Sequence, residues 1–200
     1  MASRLGVIAE DATDAAVIKV LARHIAGWPV PVHARHDNGC GAMDRKGAVW
    51  LEELVDRGAT HVIILRDLDR NPENGNLNDE AALRGAWLQK VDALRVPRLI
   101  CIPVEELEAW FWASPAALTK VARQPTQARS NPHLVVRPKE ALAALSRQSG
   151  SRSRYSTNQN EELAEAMAPD LDLCAARCPA FWELRAFVAA SVAESGHAGT

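Results

Sequence analysis

The stretch His61-Val-Ile-Ile-Leu-Arg66-Asp67-Leu-Asp69 decides the fold. Its apolar residues follow one another without a polar break, and three of them are β-branched. A short run of this kind reads as a strand buried on both faces, which is the signature of a parallel sheet. Leu5 to Ala9 repeats the pattern, and Arg98 to Pro103 gives a third copy. Pro29 to Ala34 is a weaker fourth, because its prolines cannot donate to a ladder. Helical spacing fills the gaps. Val17, Val20, Leu21 and Ile25 recur at three to four residues, with Thr13 as the expected N-cap. A second helix is expected from Asp44 to Asp56, ended by Gly58, and a third from Asp79 to about Leu94. This alternation predicts an α/β domain whose mostly parallel four-stranded sheet is flanked by helices.

Beyond residue 104 strand signals fade. Helices are expected at Glu105–Trp112, Pro115–Arg123, Lys139–Arg147, Glu161–Met167 and Pro179–Glu194, separated by the loops 124–138 and 149–160. The expected organisation is a core over residues 1–112, a helical C-terminal extension over 113–194 and a tail over 195–200. Apolar residues make up 48% of the chain and charged ones 24%, the balance of a soluble globular protein. No run approaches the length of a membrane span, and the apolar stretch after the N-terminus is too short for a signal peptide. No membrane association and a cytoplasmic location are therefore expected. Cys174 and Cys178 lie four apart on a helix with no second pair nearby, so all four cysteines read as reduced thiols rather than zinc ligands.

The net charge of −2 hides an asymmetry. Residues 119–154 carry +7, leaving −9 for the rest. A basic segment beside an acidic body suits a metal-dependent enzyme on a polyanion; a solvated basic face is the plainer alternative.

In a parallel sheet, ligands gather at the carboxyl ends of the strands. Glu10 ends the first strand, Asp67 and Asp69 end the third, and Glu105 and Glu108 follow the fourth. Asp67 and Asp69, two apart, project from the same side of an extended backbone. Carboxylates crowded at one edge repel, a hard dication relieves them, and oxygen-only donors favour Mg2+ or Mn2+. A lone D-x-D is more often a pair of loop acids. Lys46, after the Gly39–Gly41 loop, is the preferred phosphate contact and Lys139 the next. Arg66 and Arg70 bracket the D-x-D. Glu106 is expected on the surface, and Trp110 and Trp112 in the packing. Tyr155, in a basic loop, is better placed to stack on a base than to attack a phosphate. His33 and His36 do not form a chelating pair.

Three segments carry a family resemblance. Ile8-Ala-Glu10-Asp-Ala-Thr-Asp14 resembles the V-E-G-x-T-E opening of Toprim domains in the overcoming-lysogenization-defect nucleases, and Ile63-Ile-Leu-Arg-Asp67-Leu-Asp69-Arg resembles their D-x-D strand. Pro103-Val-Glu105-Glu-Leu-Glu108-Ala-Trp110-Phe-Trp resembles the E-x-E-A-W-L signature of a bacterial Toprim-like family catalogued as domain of unknown function 4276. Pro138-Lys139-Glu140 and Cys178-Pro-Ala-Phe181 are similar to that family's later landmarks, so the resemblance spans most of the chain. Asp11 stands where the family has glycine, and Asp14 where it has a second glutamate.

The resemblance implies a Toprim-like fold and Mg2+-dependent nuclease chemistry on DNA or RNA. On this expectation Asp67 and Asp69 hold one ion, and Glu10 completes its shell or accepts the water proton. Asp14 and Glu108 serve a second ion, and Lys46 assists catalysis. Arg70, Lys139, Arg152 and Arg154 would contact nucleic acid. Such proteins work beside ABC- or SMC-type ATPases in anti-phage defence; the chain has no Walker A motif, so ATP would be a partner's business. The alternative, favoured by Asp11, is a catalytically weak or inactive subunit that binds an ATPase or nucleic acid. A sugar-nucleotide enzyme using the D-x-D would leave Glu10 and the Glu105–Trp112 block unexplained.

Overall fold

Four strands form where the apolar runs predict them: β1 (Leu5–Ile8), β2 (Val32–Arg35), β3 (His61–Leu65) and β4 (Arg98–Cys101). The computed structural model describes residues 3–37, 39–92, 94–148 and 155–196. Every strand pairing is parallel, in the order β2-β1-β3-β4. The two central strands are buried along their whole length, whereas β2, preceded by Pro29 and Pro31, is a partly exposed edge.

Parallel neighbours need a crossover, and three helices supply them: α1 (Ala12–Ala26), α2 (Cys40–Asp56) and α3 (Glu80–Lys90). From β1 the chain moves through α1 to one edge; from β3 it moves through α3 to the other. The direction of travel thus reverses between β1 and β3, the switch point at which open α/β sheets bind ligands. Among the described residues, no helix is long and apolar enough to cross a membrane.

Helix ends differ from the expected ones for local reasons. The N-cap of α1 is Asp11, not Thr13. Its Oδ1 accepts from the backbone N–H of Thr13 at 2.7 Å and of Asp14 at 3.0 Å, and from the Thr13 hydroxyl at 2.6 Å. Asp11 has φ −144°, extended backbone that any residue adopts, so nothing at this position calls for a glycine. Helix α2 starts at Cys40, four residues early, because Gly39 takes the N-cap position at φ 87° and the Cys-Gly-Ala stretch winds into the first turn. Helix α3 stops at Lys90 rather than near Leu94.

The chain forms two compact units that interleave in sequence: Met1–Arg66, Asp79–Ile102 and Glu183–Thr200 in one, Asp67–Asn78 and Pro103–Trp182 in the other. The sheet unit closes at Ile102, ten residues before the boundary expected from composition. It also takes in the last helix from Glu183 onward. That helix, whose full span is Pro179–Gly196, lays Phe187 edge-on against His61 at 5.7 Å and brings Glu194 to 3.2 Å from the same imidazole.

The second unit is helical. A fully buried 3-10 segment, Leu107–Ala113, replaces the expected α-helix there. Around it lie α4 (Pro115–Ala122), α5 (Pro138–Gln148), α6 (Asn160–Ala166) and α7 (Leu171–Arg177); the final helix is α8. Trp110 meets Phe181 edge-to-face at 5.3 Å, and the Trp112 indole donates to the Pro138 carbonyl at 3.2 Å. Both tryptophans therefore pack, as expected from the sequence.

One close approach anchors α3 to α2 in the sheet unit. A Cβ on Gly47 would sit 2.3 Å from the Trp87 ring, which is itself 1% exposed. In a helix interior Ala outranks Gly by about 1 kcal/mol, but forced overpacking costs about 1–3 kcal/mol or more. The clash should win: Gly47→Ala is expected to lower the urea midpoint despite its better helix propensity. An unchanged or raised midpoint would show that the indole yields.

Candidate functional site

In the sheet unit, Glu10 follows β1 and Arg66 follows β3, at equivalent register positions. The Arg66 guanidinium donates to Glu10 Oε1 at 2.5 Å, with both side chains largely buried. A buried charge pair of this kind holds each partner in place because an orphaned charge would be costly. Asp14 lies in the first turn of α1 and is 8% exposed. Lys46, expected at a phosphate, forms a 2.6 Å ion pair with Asp37 and remains half exposed. Glu10 and Asp37 are thus met by cations of their own unit, and Asp11 by backbone N–H groups.

In the second unit the chain begins with Asp67. Its Oδ1 accepts from the Leu107 backbone N–H at 3.1 Å, so it caps the 3-10 segment from outside. Asp69 follows two residues later and lines a cleft of about 330 Å³ together with Arg70, Glu105, Glu106, Arg137 and Glu140.

Glu105 is the best-held acid of this cleft. It is 5% exposed and sits in the left-handed region at φ 62°. Arg70 donates through Nε at 2.8 Å and through Nη2 at 2.5 Å to one carboxylate oxygen, and the Arg137 backbone N–H reaches the other at 2.8 Å. The third Arg70 donor, Nη1, goes to the Gly75 carbonyl at 2.8 Å. Arg70, expected at nucleic acid, thus uses its three donor groups within its own unit. Glu106, expected on the surface, is half buried; its Oε2 accepts from the Lys139 N–H at 3.2 Å, at the start of α5. Burial, followed by the charge of Glu108, pushes its carboxyl up to about 6.

Glu108, expected at a second ion, lies in a buried hydrogen-bond network. It is 4% exposed and accepts from Asn160 Nδ2 at 3.0 Å, and the Tyr155 hydroxyl lies 3.3 Å from the same oxygen. That hydroxyl has one proton, and its shorter partner is Asn160 Oδ1 at 2.6 Å. Tyr155 is 7% exposed, and burial and the Glu108 charge drive its pKa far upward. It is a buried network member rather than a stacking platform in a loop. Cys174 and Cys178 are buried free thiols whose pKa values burial also raises.

The predicted acids therefore divide. Glu10 and Asp14 belong to the sheet unit; Asp67, Asp69 and Glu108 belong to the second. Among the described residues, no group of three or more His, Cys, Asp or Glu side chains is arranged to hold a metal ion. Lys139 is exposed on α5, while Arg152 and Arg154 lie outside the described residues. Sequence inspection missed the Glu106–Glu140–Arg137 side of the cleft. The consecutive Glu105-Glu106 was the available signal, but which of the two turns inward depends on the left-handed backbone at Glu105. Comparison of the chain with protein-family models, characterised proteins and solved structures finds no significant match.

The raised pKa of Glu106 makes stability depend on pH. Between its ordinary value of 4.5 and about 6, the unfolded chain has released a proton that the folded protein keeps, so stability falls as pH rises through this window and levels off above it. Glu106→Gln keeps an acceptor for Lys139. It should be more stable than the parent at neutral pH, by about 1 kcal/mol once partial exposure is discounted, and equal to it near pH ~4. Urea titrations at the two pH values check this; a difference that does not vary with pH would remove Glu106 as the titrating group.

Proposed function

We propose that this protein is a divalent-metal-dependent phosphodiesterase of Toprim-like kind that acts on nucleic acid, with Asp67 and Asp69 as its metal donors. The observation that carries the proposal is the Asp69-lined cleft in the second unit, where several carboxylates share about 330 Å³ and Glu106 has a pKa displaced upward. Perturbed acids in a concave site are characteristic of functional centres.

The donor set agrees with a hard dication for some residues and not for others. Asp67 and Asp69 offer oxygen only, from one short segment, as Mg2+ or Mn2+ requires. Glu105 and Glu108 do not fit, since the first is clamped by Arg70 and the second is consumed by Asn160 and Tyr155. Mg2+ commonly keeps most of its water and takes one or two protein carboxylates together with substrate phosphate oxygens. A two-aspartate site is therefore sufficient when nucleic acid completes it. When bound, the metal would supply charge neutralisation at the phosphate and a more acidic water. The chain's own part is to orient: Leu107 N–H fixes one oxygen of Asp67, and Arg70 secures the Asp69 loop through Gly75 and Glu105. Glu10 enters the proposal only as a residue to test, because Arg66 already engages it.

A second reading has an observation in its favour. Two of the expected acids, Glu10 and Glu108, are spent inside the protein, which suits a subunit that binds nucleic acid or an ATPase without cutting. Work beside such an ATPase in anti-phage defence rests on the resemblance alone.

Asp67→Asn keeps the acceptor for Leu107, so the fold should survive. The double variant Asp67→Asn, Asp69→Asn is expected to lose Mg2+-dependent cleavage of DNA and RNA substrates by about 100-fold or more with an unchanged melting temperature. Metal affinity should also rise when a non-cleavable oligonucleotide is present. Cleavage that survives the double variant would dismiss this site, and a parent protein that binds oligonucleotide but never cuts would favour the second reading.

A further inference from the structure

We propose that a second cavity, between α4 and the segment from Tyr155 to Leu163, is a subsite for one backbone phosphate of a bound nucleic-acid strand, with Arg123 as its main contact. The identity of the ligand rests on the nucleic-acid reading above; the site itself does not.

The cavity measures about 200 Å³ and lies wholly within the second unit. Its wall sets the buried Val121, Leu163 and ring of Tyr155 beside the polar Ser146 and Gln159. Its rim is charged, with Lys120, Arg123 and Glu162 exposed. Lys120 contacts Glu162 at 3.3 Å in an exposed pair, which contributes little and opens readily. Arg123 makes no ion pair or side-chain hydrogen bond among the described residues. Two cations against one acid leave the mouth positive, and Lys120 in the last turn of α4 and Arg123 at its C-cap both line the cavity.

The backbone of Arg123 is the second observation. It closes α4 in the left-handed conformation, at φ 54° and ψ 27°. Helices that end this way normally use glycine, because a Cβ is strained there. The chain places a long cation instead, and residues held in such a conformation cluster at ligand contacts and other functional sites. From this left-handed position Arg123 lines the cavity.

The size selects the ligand. Pockets for whole drug-sized molecules run to about 300–1,000 Å³, so this one admits a phosphate with its sugar and leaves the base outside. Val121, Leu163 and the Tyr155 ring suit sugar carbons, and the cations suit the phosphate. Such a contact positions a strand without reading its sequence.

The test uses the full chain, a short fluorescein-labelled single-stranded oligodeoxynucleotide, and EDTA to prevent cleavage. Anisotropy titrations over a range of salt give affinity and its salt slope. Arg123→Gly should weaken binding by about tenfold at low salt. It should also flatten the slope of log K against log salt by about 0.7, the loss of one phosphate contact on a single strand. Adding Lys120→Gln should lower both further. The glycine relieves the backbone, so the melting temperature of Arg123→Gly should stay level or rise, which separates lost binding from lost folding. A nucleoside 5′-monophosphate should compete and the nucleoside should not. Unchanged affinity and slope in Arg123→Gly would overturn the subsite, as would a parent protein that binds the monophosphate but not the oligonucleotide. The outcomes separate from those of the proposed activity: a chain that binds through Arg123 without cutting keeps the subsite while losing the nuclease, and a chain that cuts through Asp67 and Asp69 but binds unchanged in Arg123→Gly keeps the nuclease while losing the subsite.

Discussion

The second unit depends on a buried carboxylate. Glu105 is almost excluded from solvent, and a bare charge in that position would be driven to neutralise or would unfold its surroundings. Three N–H groups prevent this, two from the Arg70 guanidinium and one from the Arg137 backbone. The same bonds set the geometry around them. Arg70 in turn reaches Gly75 and closes the Asn71–Asn76 turn, while Arg137 immediately precedes α5. Glu106, the next residue, then faces the start of that helix. A single satisfied charge thus determines which side chains line the cleft beside Asp69.

A related economy operates in the sheet unit. Acids at the carboxyl edge of a parallel sheet repel one another, and a dication is only one way to relieve them. Here Arg66 meets Glu10, and Asp11 turns its oxygen to the open N–H groups of α1. Asp11, where the resembled Toprim opening has glycine, is the N-cap of α1.

Backbone strain is concentrated where the cavities are. Among the described residues, the non-glycine positions with positive φ are Glu105, Arg123 and Arg137. All three are charged. Glu105 and Arg137 line the larger cleft, and Arg123 lines the smaller cavity. Each such residue costs on the order of 1–3 kcal/mol and persists only where its surroundings over-determine it. For Glu105 and Arg137 that determinant is their mutual hydrogen bond. For Arg123, no side-chain hydrogen bond or ion pair is found among the described residues, the observation from which the phosphate subsite is proposed.

The four strands, their parallel order of burial and the crossover helices were legible in the sequence, because hydrophobic runs and periodic spacing report local burial directly. The D-x-D after β3 and the packing of Trp110 and Trp112 were legible for the same reason. Partners were not. Which cation meets Glu10, whether Glu108 points to solvent or to Asn160, and which of Glu105 and Glu106 turns inward all depend on residues between one and more than fifty positions away. Helix ends also escaped, since Asp11 and Thr13 are equally good caps until the backbone chooses between them. Residue type alone therefore determined where the acids lie along the chain. Only the tertiary structure decided which are already neutralised, because charge pairing and desolvation are properties of neighbours in space.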